Sequence, residues 1–168
     1  MIMLDRFIFW VERINTAVGK AASWLIIPMG GAFVIEVFCR KFWEPTIWAS
    51  DFATMMYGTH FFLGCAFTLA VNKHIRTDFL YDNWSPKTRA ILDTVQYFLF
   101  FLPGLAIYLY VSIEFAADSW YFLESMATTW RPPAYLYKTV VPVSILLLLL
   151  QGIVELIKCV RIIKGEAK

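Results

Sequence analysis

Two stretches of this chain, Phe52–Asn72 and Thr94–Ile113, each run for about 20 residues without an Asp, Glu, Lys or Arg. A hydrocarbon layer of about 30 Å takes about 20 helical residues at 1.5 Å each, so both runs read as membrane-spanning helices. Composition closes off the alternative that they are core helices of a soluble domain. Hydrophobic residues make up 60% of the 168 and charged residues 17%, and the mean hydropathy is +0.61. A globule of this size keeps too large a surface fraction to hide that much apolar area. The excess must face lipid. A soluble enzyme, a nucleic-acid binder and a disordered regulator are excluded on that ground, and the near-balanced net charge of +2 signals no polyanion partner.

Two further spans flank these. The first covers about Ala21–Phe42, with Glu36, Arg40 and Lys41 near its far end, and the fourth covers about Thr139–Ile157, with Glu155 near its end. The fold class expected is therefore an all-α integral membrane protein, one domain over residues 1–168 with four transmembrane helices. Residues 1–20 precede them as a different kind of segment. On a helical wheel Asp5, Arg6, Glu12, Arg13, Thr16 and Lys20 share one face, and Leu4, Phe7, Ile8, Val11, Ile14 and Val18 the other. That pattern predicts an amphipathic helix lying in the membrane interface.

Orientation follows from the basic residues. The N-terminal segment, the 73–93 connection and the tail hold eleven Lys and Arg, and the two opposite connections hold four. Both termini are expected to be cytoplasmic. The first exterior connection is a short turn through Glu44 and Pro45, with Trp43 and Trp48 as interface anchors and Ser50 or Asp51 as a helix cap. The second is expected to be a long loop over 114–138, rich in aromatics that include Trp120, Tyr121 and Trp130. It is an interfacial lid, a docking surface or a headgroup anchor.

Few residues here suggest chemistry. His60 and His74 lie 14 residues apart on one predicted helix, about 21 Å of rise, too far to hold one haem, and each lacks a partner histidine. No cofactor, metal site or catalytic centre is expected. No Gly-x4-Gly-Lys-Ser/Thr string points to ATP. Cys39, Cys65 and Cys159 lack metal-type spacing and read as small apolar residues. Glu36 and Arg40, one turn apart, are read as a structural pair facing the bundle or a neighbouring subunit, in preference to an ion site. Pro28, Gly30 and Gly31 in the first span, and Pro103 and Gly104 in the third, are read as packing kinks. Neither break has an Asn, Ser or Thr cluster beside it, so the four helices are expected to lack a polar midplane of the kind a transporter uses.

Arg40, Trp48 and Asp51, Gly64, and the string His74-Ile75-Arg76-Thr77-Asp78 fall in an order that resembles the small membrane subunit of tripartite ATP-independent periplasmic (TRAP) transporters, the DctQ family. Gln151-Gly152 in the last span is similar too. The resemblance implies a sodium-coupled importer of organic acids in a bacterial inner membrane. A soluble periplasmic protein would capture the substrate, a large membrane subunit would carry the substrate and Na+ sites, and this chain would be a membrane scaffold among lipids. Glu36, Arg40, Trp48, Asp51, Gly64, His74, Arg76, Asp78, Trp130 and Arg131 are the structural or partner-contact candidates. The exterior loop with Trp130-Arg131-Pro132-Pro133 is longer than in compact members of that family. The alternative is a membrane anchor subunit of a respiratory or other multi-subunit enzyme, or a small homodimeric transporter.

Overall fold

A computed structural model describes residues 2–71 and 84–165. It is all-helical: α1 Ile2–Ser23, α2 Ile26–Phe42, α3 Ala49–Ala70, α4 Pro86–Gln96, a five-residue π turn Tyr97–Phe101, α5 Leu102–Tyr121 and α6 Ala134–Lys164. Among the described residues the one strand-like pairing is an isolated bridge between Ser125 and Pro133. Three helical stretches, Met3–Phe42, Lys87–Tyr121 and Ala134–Lys164, are long and apolar enough to cross a membrane. At 22 residues α3 also has the length for a crossing, but Asp51 and His60 make it less apolar.

The helices stand in a row rather than a closed bundle. α2 packs on α3, α3 on α6, and α4 and α5 on α6, while α1 lies against both α3 and α6. Side-chain pairings set the directions. Asp5, Glu12 and Asn15 of α1 meet Arg161, Lys158 and Gln151 of α6, so these two helices are antiparallel. The α2–α3 seam is built on Ala32, Ala49 and Ala53, with Met29, Trp48 and Phe52 around them. Small residues let helix backbones approach closely, the contact that holds helices together where lipid is as apolar as the side chains.

Two breaks in the rods have identifiable causes. Pro28 has no N–H to give the Trp24 carbonyl, and its ring would strike it in a continuous helix. The chain turns at Trp24–Leu25 instead, with the shorter bonds Leu25 N–H to Ala22 O at 3.0 Å and Ile27 N–H to Trp24 O at 3.2 Å. The helix expected over about Ala21–Phe42 is therefore interrupted, α1 ending at Ser23 and α2 beginning at Ile26, and the break precedes Pro28. Gly30 and Gly31 have no neighbour within 4 Å of an added Cβ. Pro103 acts likewise on the third span: the turn before it widens, Leu102 N–H reaching back five residues to Tyr97 O. That is a π bulge caused by a missing donor.

Helix ends correct the expected loop. α5 continues to Tyr121 and α6 begins at Ala134, so the connection between them is 122–133 rather than 114–138. Glu114 marks where the sequence stops being apolar, but a charge ends no helix: its carboxylate accepts from Tyr110 Oη, one turn back, at 2.8 Å. What ends α5 is a Schellman turn, with Glu124 N–H to Ser119 O at 3.0 Å, Leu123 N–H to Trp120 O at 3.2 Å, and Leu123 left-handed at φ 47°. By the same reasoning α4 begins at Pro86, before the expected Thr94, behind a Ser85 cap whose Oγ accepts from Thr88 N–H at 3.2 Å. At its C-terminus α6 runs past Ile157 to a left-handed cap at Gly165.

Gly19 of α1 is a close-approach point, because a Cβ there would lie 2.2 Å from Phe67 Cβ of α3. Phe67 cannot swing its own Cβ aside. Gly19→Ala is expected to cost about 1–3 kcal/mol, seen as a lower melting temperature of the purified chain. Gly30→Ala, made in open space, should leave melting unchanged or raise it. An unaltered melting temperature for Gly19→Ala would contradict the α1–α3 packing.

Candidate functional site

The C-terminal end of α2 and the start of α3 hold four of the residues singled out from sequence. Glu36 is buried, at 8% exposure, although it sits on a helix facing lipid elsewhere. Its Oε1 accepts from Arg40 Nη2 at 2.6 Å and Nε at 3.2 Å, the one-turn pairing expected. Its Oε2 accepts from the Thr46 backbone N–H at 3.0 Å and from the Thr46 hydroxyl. The same Thr46 Oγ1 accepts from Ala49 N–H at 3.3 Å. Thr46, not Ser50 or Asp51, therefore caps α3. Its hydroxyl sits three residues ahead of a helical N–H, the reach a cap requires. Asp51 stays in the first turn, where the helix dipole favours a carboxylate. Trp48 packs edge-on against Phe52, with ring centroids 6.1 Å apart. Glu36 thus ties the α2–α3 turn together, and Arg40, its side chain 68% exposed, covers it from outside.

A second polar group was not foreseen. Asn15 and Gln151 are the most buried large polar side chains, at 1% and 0% exposure, and Asn15 Nδ2 donates to Gln151 Oε1 at 2.8 Å. Gln151 Nε2 donates onward to Glu155 Oε1 at 3.0 Å. Lys158 Nζ then joins Glu155 at 2.8 Å and Glu12 at 2.6 Å. Arg161 and Asp5 extend the chain of contacts at 2.6 Å. The interior is therefore not without polar groups, as the breaks near Gly31 and Gly104 had suggested; the polar residues enter from α1 and α6. The sequence signal is the spacing of Gln151, Glu155 and Lys158 at i, i+4 and i+7, one helix face. His60 is also committed: its Nδ1 donates to the Ala22 carbonyl at 3.0 Å, beside the break between α1 and α2.

Between α5 and α6, residues 122–133 fold back on themselves. Met126 N–H donates to Pro132 O and Ala134 N–H to Glu124 O, each at 2.9 Å. Lys138 binds the Glu124 carboxylate and also sits 4.0 Å over the Phe115 ring. That ammonium holds the Glu124 carboxyl below the usual carboxylate range. The pairing is present above that range and is lost as pH falls through the lowered value. Trp120 packs against Tyr135, with ring centroids 4.6 Å apart and the planes tilted by 56°, and donates to Thr139 Oγ1 at 2.8 Å. Arg131 is left-handed at φ 51°, and Trp130 beside it stays 40% exposed.

The remaining candidates do not join these sites. Gly64 lies in the C-terminal half of α3 with nothing within 4 Å of an added Cβ, so no close contact among the described residues calls for glycine there. His74, Arg76 and Asp78 lie outside the described residues.

A helical multi-pass protein, whose interior polar groups bind helix to helix, belongs with membrane transport or anchor subunits in class. Comparison with protein families separates these: residues 12–162 match the DctQ component of tripartite ATP-independent periplasmic transporters. The chain belongs to that family, the small permease subunits of TRAP transporters. Comparison with curated proteins and with solved structures finds no match.

The geometry ranks the two members of the exterior pair. Glu36→Leu removes the anchor of Thr46 as well as Arg40, whereas Arg40→Leu leaves the carboxylate its two Thr46 donors. Glu36→Leu should therefore lower purified yield and melting temperature more than Arg40→Leu, and the double variant should match Glu36→Leu. An Arg40→Leu loss equal to or greater than the Glu36→Leu loss would contradict the Thr46 contacts.

Proposed function

We propose that this chain is the scaffold of a sodium-coupled TRAP importer of an organic acid in a bacterial inner membrane. It holds a large transport subunit in the bilayer, and that subunit carries the Na+ and substrate sites. The observation that carries this reading is where the interior polar groups go. Asn15, Gln151, Glu155, Lys158 and Glu12 are spent on binding α1 to α6, and His60 on the α1–α2 break. A transport site needs polar groups that exchange partners during the cycle; these hold helices together. The open row supports the same reading, since it offers two broad apolar faces to a neighbouring subunit and to lipid.

In this reading α3 is the fourth span. Its place between α2 and α6 along the row supports a crossing beside them, and the excess of Lys and Arg supports cytoplasmic termini. The 122–133 loop is a docking surface for the periplasmic binding protein: it is internally bonded and keeps Tyr121, Phe122 and Trp130 exposed. In this reading His74, Arg76 and Asp78 serve contact with the large subunit.

Affinity purification of this chain, co-expressed with its large membrane partner, is expected to recover both. Uptake by the reconstituted complex should require Na+ and the binding protein. His60→Leu is expected to lower yield, through loss of the Ala22 bond, yet to leave the Na+ dependence per recovered complex unchanged. Transport by this chain alone, haem or quinone bound to it, or a shifted Na+ dependence in the His60 variant would each overturn the scaffold reading.

A further inference from the structure

The two bases at the C-terminal end of α2 have different employment. Arg40 is held by Glu36 at 2.6 Å, whereas Lys41 forms no ion pair among the described residues. The Lys41 ammonium lies 5.4 Å from the Phe42 ring, at the end of a trough of about 440 Å3 lined by Phe33, Val34, Val37, Phe38, Lys41 and Phe42. The trough is on the side of α2 turned away from α3. Ala32 and Glu36 mark the packed side, and Val34 and Val37 on the other are 69% and 67% exposed.

Helix periodicity gives the trough its shape. Gly30, Val34, Val37 and Lys41 follow at i, i+4, i+7 and i+11, so they fall on one line along the helix. They make a low floor, and Gly30 adds only open space at its deep end. Phe33 stands to one side of that line. Phe38 and Phe42 stand to the other with ring centroids 4.6 Å apart, and Trp43 continues this wall at 6.4 Å from Phe38. From Lys41 to Gly30 the floor runs about 16 Å at 1.5 Å per residue. That is about one leaflet of a hydrocarbon core about 30 Å thick. α2 ends the stretch Met3–Phe42, which is long and apolar enough to cross a membrane, and Lys41 is one residue from its end. The cation thus falls at headgroup depth and the floor beneath it at the depth of acyl chains.

We propose that this trough holds one anionic phospholipid, with an acyl chain along Gly30, Val34 and Val37 between the phenylalanine walls and the phosphate on Lys41. Charge favours a lipid over a partner helix: a helix on this face would cover Lys41 and would have to bring an acid to that depth, where the bilayer already supplies phosphate. Composition points the same way. The α2–α3 seam is built on alanines, which let backbones approach, whereas this face carries phenylalanines that hold a neighbouring backbone off and leave a slot one chain wide. A lipid with net negative charge binds more tightly than phosphatidylcholine, whose own amine already neutralises its phosphate.

The test is photolabelling of the purified full chain in vesicles, with a trace of phosphatidylglycerol carrying a diazirine in mid-chain and labelled residues read by peptide mass spectrometry. Label is expected to concentrate on residues 30–38, above that on the equally exposed Ile107, Tyr110 and Val111 of α5. Lys41→Gln should lower it about fivefold and bring it level with a phosphatidylcholine probe. Val34→Trp, which fills the floor, should lower labelling by both probes, and Lys164→Gln should change nothing. Even labelling of α2 and α5, unchanged labelling in Lys41→Gln, or competition by inorganic phosphate would overturn the proposal. So would loss of the α2 label when the large membrane subunit is bound, since the face would then take protein. The arm with the chain alone decides whether the slot binds lipid even where no large subunit co-purifies, so its failure is distinct from failure of the scaffold reading.

Discussion

The hydrogen bond between Asn15 and Gln151 is the contact on which the arrangement most depends. Both side chains are buried almost completely, in a protein whose surroundings offer no water to an unpaired amide. A row of helices has few ways to fix its own register, because apolar seams slide at little cost where lipid competes equally for the same side chains. A buried polar pair cannot slide: displacement by one turn leaves two amides unsatisfied. The Glu155–Lys158–Glu12 contacts extend that constraint toward the end of α6, and α1 becomes a strap across α3 and α6.

The turns that join α2 to α3 and α5 to α6 are fixed by a different device. Around Glu36 and around Glu124 a single carboxylate gathers a cation from a helix and, at Glu36, the donors of a turn. Both carboxylates close a connection between neighbours in the row, α2 to α3 and α5 to α6. The row is thus pinned by side-chain chemistry at its turns and by small residues along its seams, and its broad faces are left free. That division suits a subunit whose work is to position another protein.

Much of this was legible in the residues. Uncharged runs of about 20 residues announce spans, and Glu36 with Arg40 at one-turn spacing announces a pair. Helix ends were less legible, because a charge such as Glu114 reports the polarity of its surroundings and says nothing about backbone hydrogen bonding. α5 therefore continues two turns beyond the apolar run, to a Schellman turn that carries Leu123 in place of the usual glycine. Asn15 was hidden differently. One amide in an amphipathic segment reads as surface until its partner, 136 residues away, is known. The cap at Thr46 was missed because Ser50 and Asp51 are stronger cappers by type, and only the turn geometry decides between them.

The most direct measurement is a double-mutant cycle on Asn15 and Gln151, read as melting temperature of the purified assembly and as uptake per assembled complex. Gln151→Leu alone should destabilise by about 1–3 kcal/mol, because it leaves the buried Asn15 amide only its long 3.4 Å bond to the Leu147 carbonyl. Asn15→Leu with Gln151→Leu together should cost less than the sum of the single changes. Every complex that still assembles should transport with wild-type Na+ dependence. Additive losses would show that the two side chains do not meet, and an altered Na+ dependence would show that this polar interior belongs to the transport site.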